Sequence, residues 1–473
     1  MSAIIYVPET DNGGKLGGQA CMSAYAWIPL SEIPNKNLLL AAATLSIPNK
    51  RTGEIQNFYL AEQRGDYIVM AKHLFSDWET KVKDWVEPAL EFENAGFRDT
   101  IKLRDTLQEI AWGKFQTAEN GILNLACGKG KTVLSLKKVA DRNHPALVIV
   151  NNDGLITQWQ DQAKFFLGLR DDQIGVVQQK RAEWDRPLVI AMIHTLAKKA
   201  DSIPMEILQR FGTIIFDEVH HLSAETFSRT AALFYGNRYG LTATTAREDG
   251  LEPIYYAHVG QVFHSDLASE LPAKLYFKKL HTRINMRHPD VLDKKGGFSM
   301  GKFYNYIGTL ANRNEKILDE VEASLAKGRK VLVLTHSAAH PEHLKAMCST
   351  RDSLKDCKLG AVSGVTPGPK RVEIIREADC TFATFQVARE ALDVAALDTV
   401  LFVTPFQAWG GLQQGMGRAE RKHGSKKAPV AVIFEDTYIP PAKALCAKLK
   451  RSIRANGLGY KTISEPTAGK TTN

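Results

Sequence analysis

A chain of 473 residues, 44% of them hydrophobic, is too long for one hydrophobic core and divides into two to four domains. No apolar run approaches the roughly 20 residues of a membrane-spanning helix, and the N-terminus MSAIIYVPETDNGG lacks the layout of a signal peptide, which points to a cytoplasmic protein with no membrane partner. Six scattered cysteines without a CxxC spacing argue against disulfides and structural zinc, and 61 Lys+Arg against 52 Asp+Glu leaves +9, a charge that suits a polyanion without requiring one.

Residues 1–97 carry no chemical motif. Leu38 to Ile47 and Gln56 to Leu60 read as strands around a Pro48-to-Gly53 turn, with Asp66 to Ala71 as a third. Ser76-Asp77 opens a helix with Trp78, Val82, Trp85, Val86 and Leu90 on one face, a stripe that reads as packed core in preference to a base-stacking platform. The expectation is a small α+β module.

From Phe97 strands and helices alternate for about 165 residues, the pattern of a parallel sheet covered on both faces. In GILNLACGKGKT, Ile122 to Ala126 reads as a buried strand, Cys127 to Gly130 as a glycine-bearing turn, and Lys131-Thr132 as the start of an apolar-periodic helix. Such a turn aims backbone N–H groups at phosphate oxygens: Gly128, Lys129 and Gly130 form the cradle, Lys131 neutralises β/γ-phosphates and Thr132 offers Mg2+ a hydroxyl. Leu125 stands where the GxxxxGK[ST] pattern has its first glycine. Upstream, in LRDTLQ, the Gln108 amide matches the donor and acceptor of an adenine edge, although a lone glutamine is as readily a solvated helix residue.

In an open parallel sheet ligands gather at the carboxyl ends of the strands. Four later stretches reach that rim. ALVIV ends in Asn151-Asn152 and the strand from Leu188 in His194-Thr195, neutral donors suited to a second ligand's phosphates or, equally, to capping loops. TIIF delivers Asp217-Glu218, one acid to hold Mg2+ and the other to polarise the attacking water. GLTATTAREDG brings hydroxyls that sense the γ-phosphate, with Arg247 beyond them.

Residues 266–310 read as a linker. A second α/β block follows, with strand-end signals at Thr335-His336-Ser337, Ser363-Gly364, Ala383-Thr384 and Val400 to Thr404. In QQGMGRAER, Arg418 and Arg421 lie three apart on one helical face, permanent cations suited to a phosphoryl group. From Pro441 a basic helix leads into a fraying tail.

As a set these motifs resemble those of superfamily 2 helicases and translocases, over about residues 98–437. ACGKGKT is similar to motif I, DEVH to motif II, TAT to motif III and QGMGRAER to motif VI, while ATFQVAREALDVAALDTVLFVTP resembles motif V. GLTATTAREDG and the QW at Gln158-Trp159 look most like the XPB group and its bacteriophage relatives of the UvsW type, which act on duplex or branched DNA.

The resemblance implies an α/β fold: two tandem RecA-like P-loop NTPase domains with parallel sheets, preceded by a small α+β domain. The expected boundaries are 1–97 for a module with a possible DNA-binding role, 98–265 and 311–437 for the two RecA-like domains, 266–310 for the linker and 438–473 for the basic helix and tail. It further implies ATP and Mg2+ held between the RecA-like domains, Gln108 reading adenine, Asp393 meeting the ribose, and Gln414, Arg418 and Arg421 joining Lys131, Asp217 and Glu218 in hydrolysis. Asn151, Asn152, His194, Thr195, Arg247, Thr335, Ser363 and Thr384 are the implied nucleic-acid contacts. The expected partner is duplex or branched DNA, with the motor tracking one strand. An RNA helicase, a nucleotide-gated clamp and a restriction-complex motor remain as rivals.

Overall fold

The computed structural model describes residues 21–22, 24–48, 54–74, 90–126, 128–219, 230–231, 233–243, 252–267, 273–385, 387, 397–406, 412, 416, 427–455 and 458–464. The chain forms two compact units, 1–267 and 268–473.

The first unit begins with a four-stranded sheet of β1 (Cys21–Met22), β2 (Tyr25–Pro29), β5 (Ala61–Arg64) and β6 (Tyr67–Ala71) in the order β1-β2-β6-β5, and a hairpin of β3 (Thr44–Pro48) and β4 (Ile55–Tyr59). The run expected to be one strand from Leu38 instead starts as helix α1 (Lys36–Ala42), because the Asn35 side chain caps it by accepting from the Leu38 amide. The tryptophan-bearing helix expected from Ser76 falls largely outside the described residues.

The main sheet has the order β10-β9-β11-β8-β12-β13-β7-β14. Its strands are β7 (Gly121–Leu125), β8 (Ala146–Val150), β9 (Ile174–Gln178), β10 (Arg181–Ala182), β11 (Leu188–Met192), β12 (Thr213–Phe216), β13 (Asn237–Thr242) and β14 (Val262–Asp266). All adjacent pairs are parallel except the β9–β10 hairpin. Strand neighbours point to opposite faces, so Leu123, Val148, Ile190 and Ile215 pack with α2 (Thr106–Thr117), α3 (Lys131–Arg142) and α4 (Asp153–Leu167). Ile122, Leu147, Val189 and Phe216 face the other way. They share a core with Tyr25, Ile28 and Met70 of the N-terminal sheet, and with α5 (Ile193–Lys199), α6 (Met205–Arg210) and α7 (Glu252–Val259). The N-terminal strands thus help cover one face of the main sheet.

A buried cation fastens that contact. Arg238 on β13 is fully buried and donates to the carbonyls of Ala24 (2.6 Å), Phe234 (3.1 Å) and His258 (3.0 Å). Burial draws its pKa down to about 10, so it stays charged at neutral pH. Burial, with the Arg238 and His73 charges adding, pushes His258 down to about 3.

The second unit holds a sheet in the order β17-β18-β16-β19-β20-β15-β21 whose adjacent strands are all parallel. Its strands are β15 (Lys274–Leu280), β16 (Val331–Thr335), β17 (Leu359–Val362), β18 (Cys380–Thr384), β19 (Thr399–Phe402), β20 (Val430–Asp436) and β21 (Lys461–Ile463). Helices α8 (Met300–Gly308), α9 (Ala311–Leu325), α10 (His340–Ser349), α11 (Gly368–Glu377) and α12 (Pro440–Ala455) belong to the same unit. The stretch read as a linker therefore supplies β15 and α8, and the basic tail supplies α12 and β21. Lys-rich β15 is tolerated inside the sheet because Leu275 and Phe277 are buried while Lys278 ion-pairs with Glu320 at 2.8 Å. Arg313 on α9 grips Asp436 through two bonds of 3.0 and 2.9 Å, and donates to the Val403 carbonyl at 2.6 Å. This buried pair ties the ends of β19 and β20 together.

Arg238→Met leaves three buried carbonyls without their donor and should destabilise the first unit by about 3 kcal/mol, measured as a lower urea midpoint. The unfolded His258 ring takes up a proton near its ordinary pKa of 6.5, whereas the folded one does so only near 3. Stability is therefore lost as pH falls below the unfolded value, by about 1.4 kcal/mol per pH unit for this group. His258→Asn should show a correspondingly shallower loss between pH 7 and 5.

Candidate active site

Chemistry gathers at the carboxyl rim of the first sheet. Strand β7 ends in the phosphate loop, where Gly128 and Gly130 have φ values of +83° and +88°. Those left-handed backbones let the chain turn sharply into α3, and a Cβ on Gly130 would collide with the Gln108 amide. Lys131 opens α3 and its ammonium donates to the Leu125 carbonyl at 2.9 Å.

Strand β12 ends in Asp217-Glu218. In the sheet β12 is separated from β7 only by β13, a spacing of about 10 Å that a lysine side chain largely spans. The charges are within electrostatic reach: burial and the neighbouring Glu218 push the Asp217 pKa up to about 6, while the Lys131 ammonium acts in the opposite direction. Asp217 is only 5% exposed. Its Oδ1 accepts from the Glu218 amide at 2.9 Å, and its Oδ2 accepts from the Trp159 indole N–H at 2.8 Å. Glu218 has φ +49°, a left-handed conformation that costs a side-chain-bearing residue roughly 1–3 kcal/mol and is found preferentially at functional sites.

Trp159 is a residue of this rim to which the sequence motifs assign no role. It lies on α4, is wholly buried, and fixes the plane of the Asp217 carboxylate. The signal was present as the QW pair, but nothing in the pattern says that an indole on the helix after β8 reaches the acid after β12. Only the β8–β12 adjacency does.

The site's oxygen donors fit a divalent cation. A buried carboxylate raised by desolvation and by a second acid is stabilised by a nearby positive charge, and hard oxygen ligands of this kind suit Mg2+. Asp217 and the Thr132 hydroxyl would hold it. Among the described residues no cluster of three or more His, Cys, Asp or Glu suggests another metal centre.

Gln108 is brought to the loop, but both ends of its amide are engaged within the protein. Its Oε1 accepts from the Arg104 amide at 2.9 Å and its Nε2 donates to the Lys129 carbonyl at 3.2 Å. Lys129 is ion-paired with Asp266. Asn152 caps α4 by accepting from the Leu155 amide at 3.0 Å and donates to Asn151 at 2.9 Å. Thr195 lies within α5, not in a loop, and accepts from the Gln179 amide at 3.1 Å, while its neighbour His194 is exposed.

In the second unit Ser363, Thr384 and Thr335 stand at the carboxyl ends of three consecutive strands, β17, β18 and β16. Thr335 is wholly buried, its hydroxyl bonded to His340 Nδ1 at 2.9 Å and to the Ser337 amide at 3.3 Å. Beside them His336 is stacked between Tyr304 and Phe385, with ring centroids 4.5 and 4.2 Å away. Arg247, Asp393, Gln414, Arg418 and Arg421 lie outside the described residues.

Residues 91–247 match the family described as type III restriction enzyme, res subunit. Over 447 residues the chain is 25% identical to a putative ATP-dependent RNA helicase of Acanthamoeba polyphaga mimivirus, covering 87% of this chain and 82% of that one. It is 32% identical over 217 residues to the DNA 3'-5' translocase XPB2 of Sulfurisphaera tokodaii, covering 44% of this chain and 46% of that relative. The chain thus spans about half the length of that translocase. Among solved structures, S. cerevisiae Dbp5 bound to RNA and ADP BeF3 superposes with a TM-score of 0.54 at 11% identity, over 76% of this chain and 89% of that one. That likeness bears on the fold: tandem parallel-sheet domains of the RecA-like kind.

Trp159→Phe keeps an aromatic ring but removes the N–H donor to Asp217. The Mg2+ concentration that half-saturates nucleotide hydrolysis should rise about tenfold, measured by Mg2+ titration at saturating nucleotide. An unchanged Mg2+ dependence would reduce Trp159 to a packing role.

Proposed function

We propose that this chain, with the motifs of superfamily 2 helicases and with relatives of the XPB type, hydrolyses ATP to translocate on and remodel duplex or branched DNA. The observation that carries the reading is that strands two positions apart in one parallel sheet deliver Lys131 and the Asp217-Glu218 pair to the same rim, with the Lys131 charge in electrostatic reach of Asp217. The loop amides and Lys131 receive the triphosphate. Asp217, oriented by Trp159, and Thr132 would supply the oxygen donors for Mg2+, which would neutralise charge on the phosphates. Glu218, adjacent to Asp217 and held in its left-handed backbone, orients the water that attacks the γ-phosphorus. Arg418 and Arg421 are proposed to stabilise the charge of the transferred phosphoryl group.

For the polymer, DNA is favoured by relatives named as DNA 3'-5' translocases and helicases, four of which are 32–35% identical to this chain over their aligned parts. The nucleic-acid contacts proposed are the rim residues Asn151, Asn152, His194 and Thr195 of the first unit, Arg247, and Ser363 and Thr384 of the second; Thr335, expected among them, is wholly buried with its hydroxyl engaged by His340 and Ser337, and is left out. Two adjacent strand ends bearing hydroxyls, those of β17 and β18, support the last pair. A second reading, action on RNA, is favoured by the mimivirus relative, which aligns over most of the chain and is named as an RNA helicase.

Steady-state ATPase with no nucleic acid, duplex DNA, branched DNA, single-stranded DNA and RNA separates these readings. Stimulation by duplex or branched DNA that weakens as salt rises is expected, because phosphate contacts release counterions. Stimulation by RNA alone would replace the DNA reading. Lys131→Ala should lower the rate by on the order of 10^2 or more while leaving the circular dichroism spectrum unchanged.

A further inference from the structure

A second lysine inside a phosphate loop would ordinarily be counted as a second ligand for phosphate. Lys129 is placed differently. Only 6% of it is exposed, and it is held at three points. Its amide donates to the Ala126 carbonyl at 3.3 Å, its carbonyl accepts from Gln108 Nε2 at 3.2 Å, and its ammonium pairs with the Asp266 carboxylate.

Asp266 is itself fixed by the sheet. It is the last residue of β14, in register with Leu125 at the end of β7, and its carbonyl accepts from the Ala126 amide at 3.0 Å. One residue therefore grips the loop twice, by its backbone at the loop's start and by its side chain at the loop's middle. The grip matters more here because Leu125 occupies the position of the usual first glycine, so the loop enters its turn from a fully buried strand residue. Swinging Lys129 out to a phosphate would break a mostly buried ion pair and shift a backbone that Gln108 also holds.

We propose that Asp266 is a positioning residue of the nucleotide site: acting through Lys129, it braces the phosphate loop in its receptive shape, and Lys129 does not ligate phosphate. The triphosphate charge is left to Lys131 and the loop amides. Asp266 lies one residue before the end of the first unit at Leu267, so the brace also ties the loop to the last strand of that unit. This rests on the nucleotide-site reading above.

The test uses the full chain, with dissociation constants for fluorescent N-methylanthraniloyl ADP and ATP in Mg2+ buffer and thermal unfolding of the nucleotide-free protein. Wild type, Lys131→Ala, Lys129→Met, Asp266→Asn, Asp266→Glu and the Lys129→Met/Asp266→Asn double variant are compared. Asp266→Asn is nearly isosteric at a partly exposed site, and so keeps the comparison available if Lys129→Met unfolds. The brace predicts that Lys129→Met and Asp266→Asn each weaken binding about tenfold, that the double variant is no worse than either, and that Asp266→Glu recovers most of the affinity. Lys129→Met weakening binding while Asp266→Asn leaves it unchanged or tightens it would overturn the proposal and make Lys129 a phosphate ligand, as would additive losses in the double variant. Binding by wild type that is lost in Lys131→Ala upholds the nucleotide-site reading whichever way the cycle falls. A wild type that binds no nucleotide overturns that reading and the brace together.

Discussion

The structure depends on a single directional constraint: within each large sheet every long strand runs the same way. Parallel strands need crossover connections, and those connections are helices that bury both faces of the sheet. The apolar runs ALVIV, TIIF and VLVLT follow from that double burial. The same constraint sends every strand's carboxyl end to one edge, so that loops from distant parts of the sequence become neighbours. Lys131 and Asp217 are 86 positions apart in the chain, yet only β13 separates the strands that deliver them.

Burial then decides how the charged groups behave. Arg238, Arg313 and Asp217 are all taken out of water, with different results. Arg238 is surrounded by carbonyl oxygens and joins the N-terminal strands to the main sheet. Arg313 meets a carboxylate face to face and closes the rim of the second sheet. Asp217 has another acid beside it and an ammonium within electrostatic reach, so its charge is only partly compensated. The first two arrangements are structural. The third leaves a carboxylate whose stabilisation improves when a cation arrives, which is what a nucleotide–metal site requires.

The loop proposed to receive the nucleotide is held largely by residues from other elements. Gln108 from the helix before β7, Asp266 from β14 and the Lys131 contact with Leu125 all converge on a few residues between β7 and α3. In an isolated peptide two left-handed glycines would leave such a loop with many conformations. The surrounding bonds select one of them, and lower the ordering cost of binding.

By itself the sequence determined the class of fold, the phosphate loop and the acidic pair, because each is local: a buried run, a glycine turn and a helix start lie within a dozen residues, and TIIFDE within six. It also marked Asn152 as a strand-end polar residue, though not that its side chain caps α4. What it could not show was anything that depends on which strand lies beside which. Trp159 reaches Asp217 only because β8 neighbours β12, and Lys129 finds Asp266 only because β14 pairs with β7. Residues 266–310 read as a linker, since nothing local says that alternate residues around Lys278 face a core. The first residues read as a separate module, yet their apolar face is covered by the main sheet and pinned by Arg238. Local propensity and spacing are written along the chain, whereas strand order, and with it every contact between side chains distant in sequence, is settled only when the apolar faces find their partners.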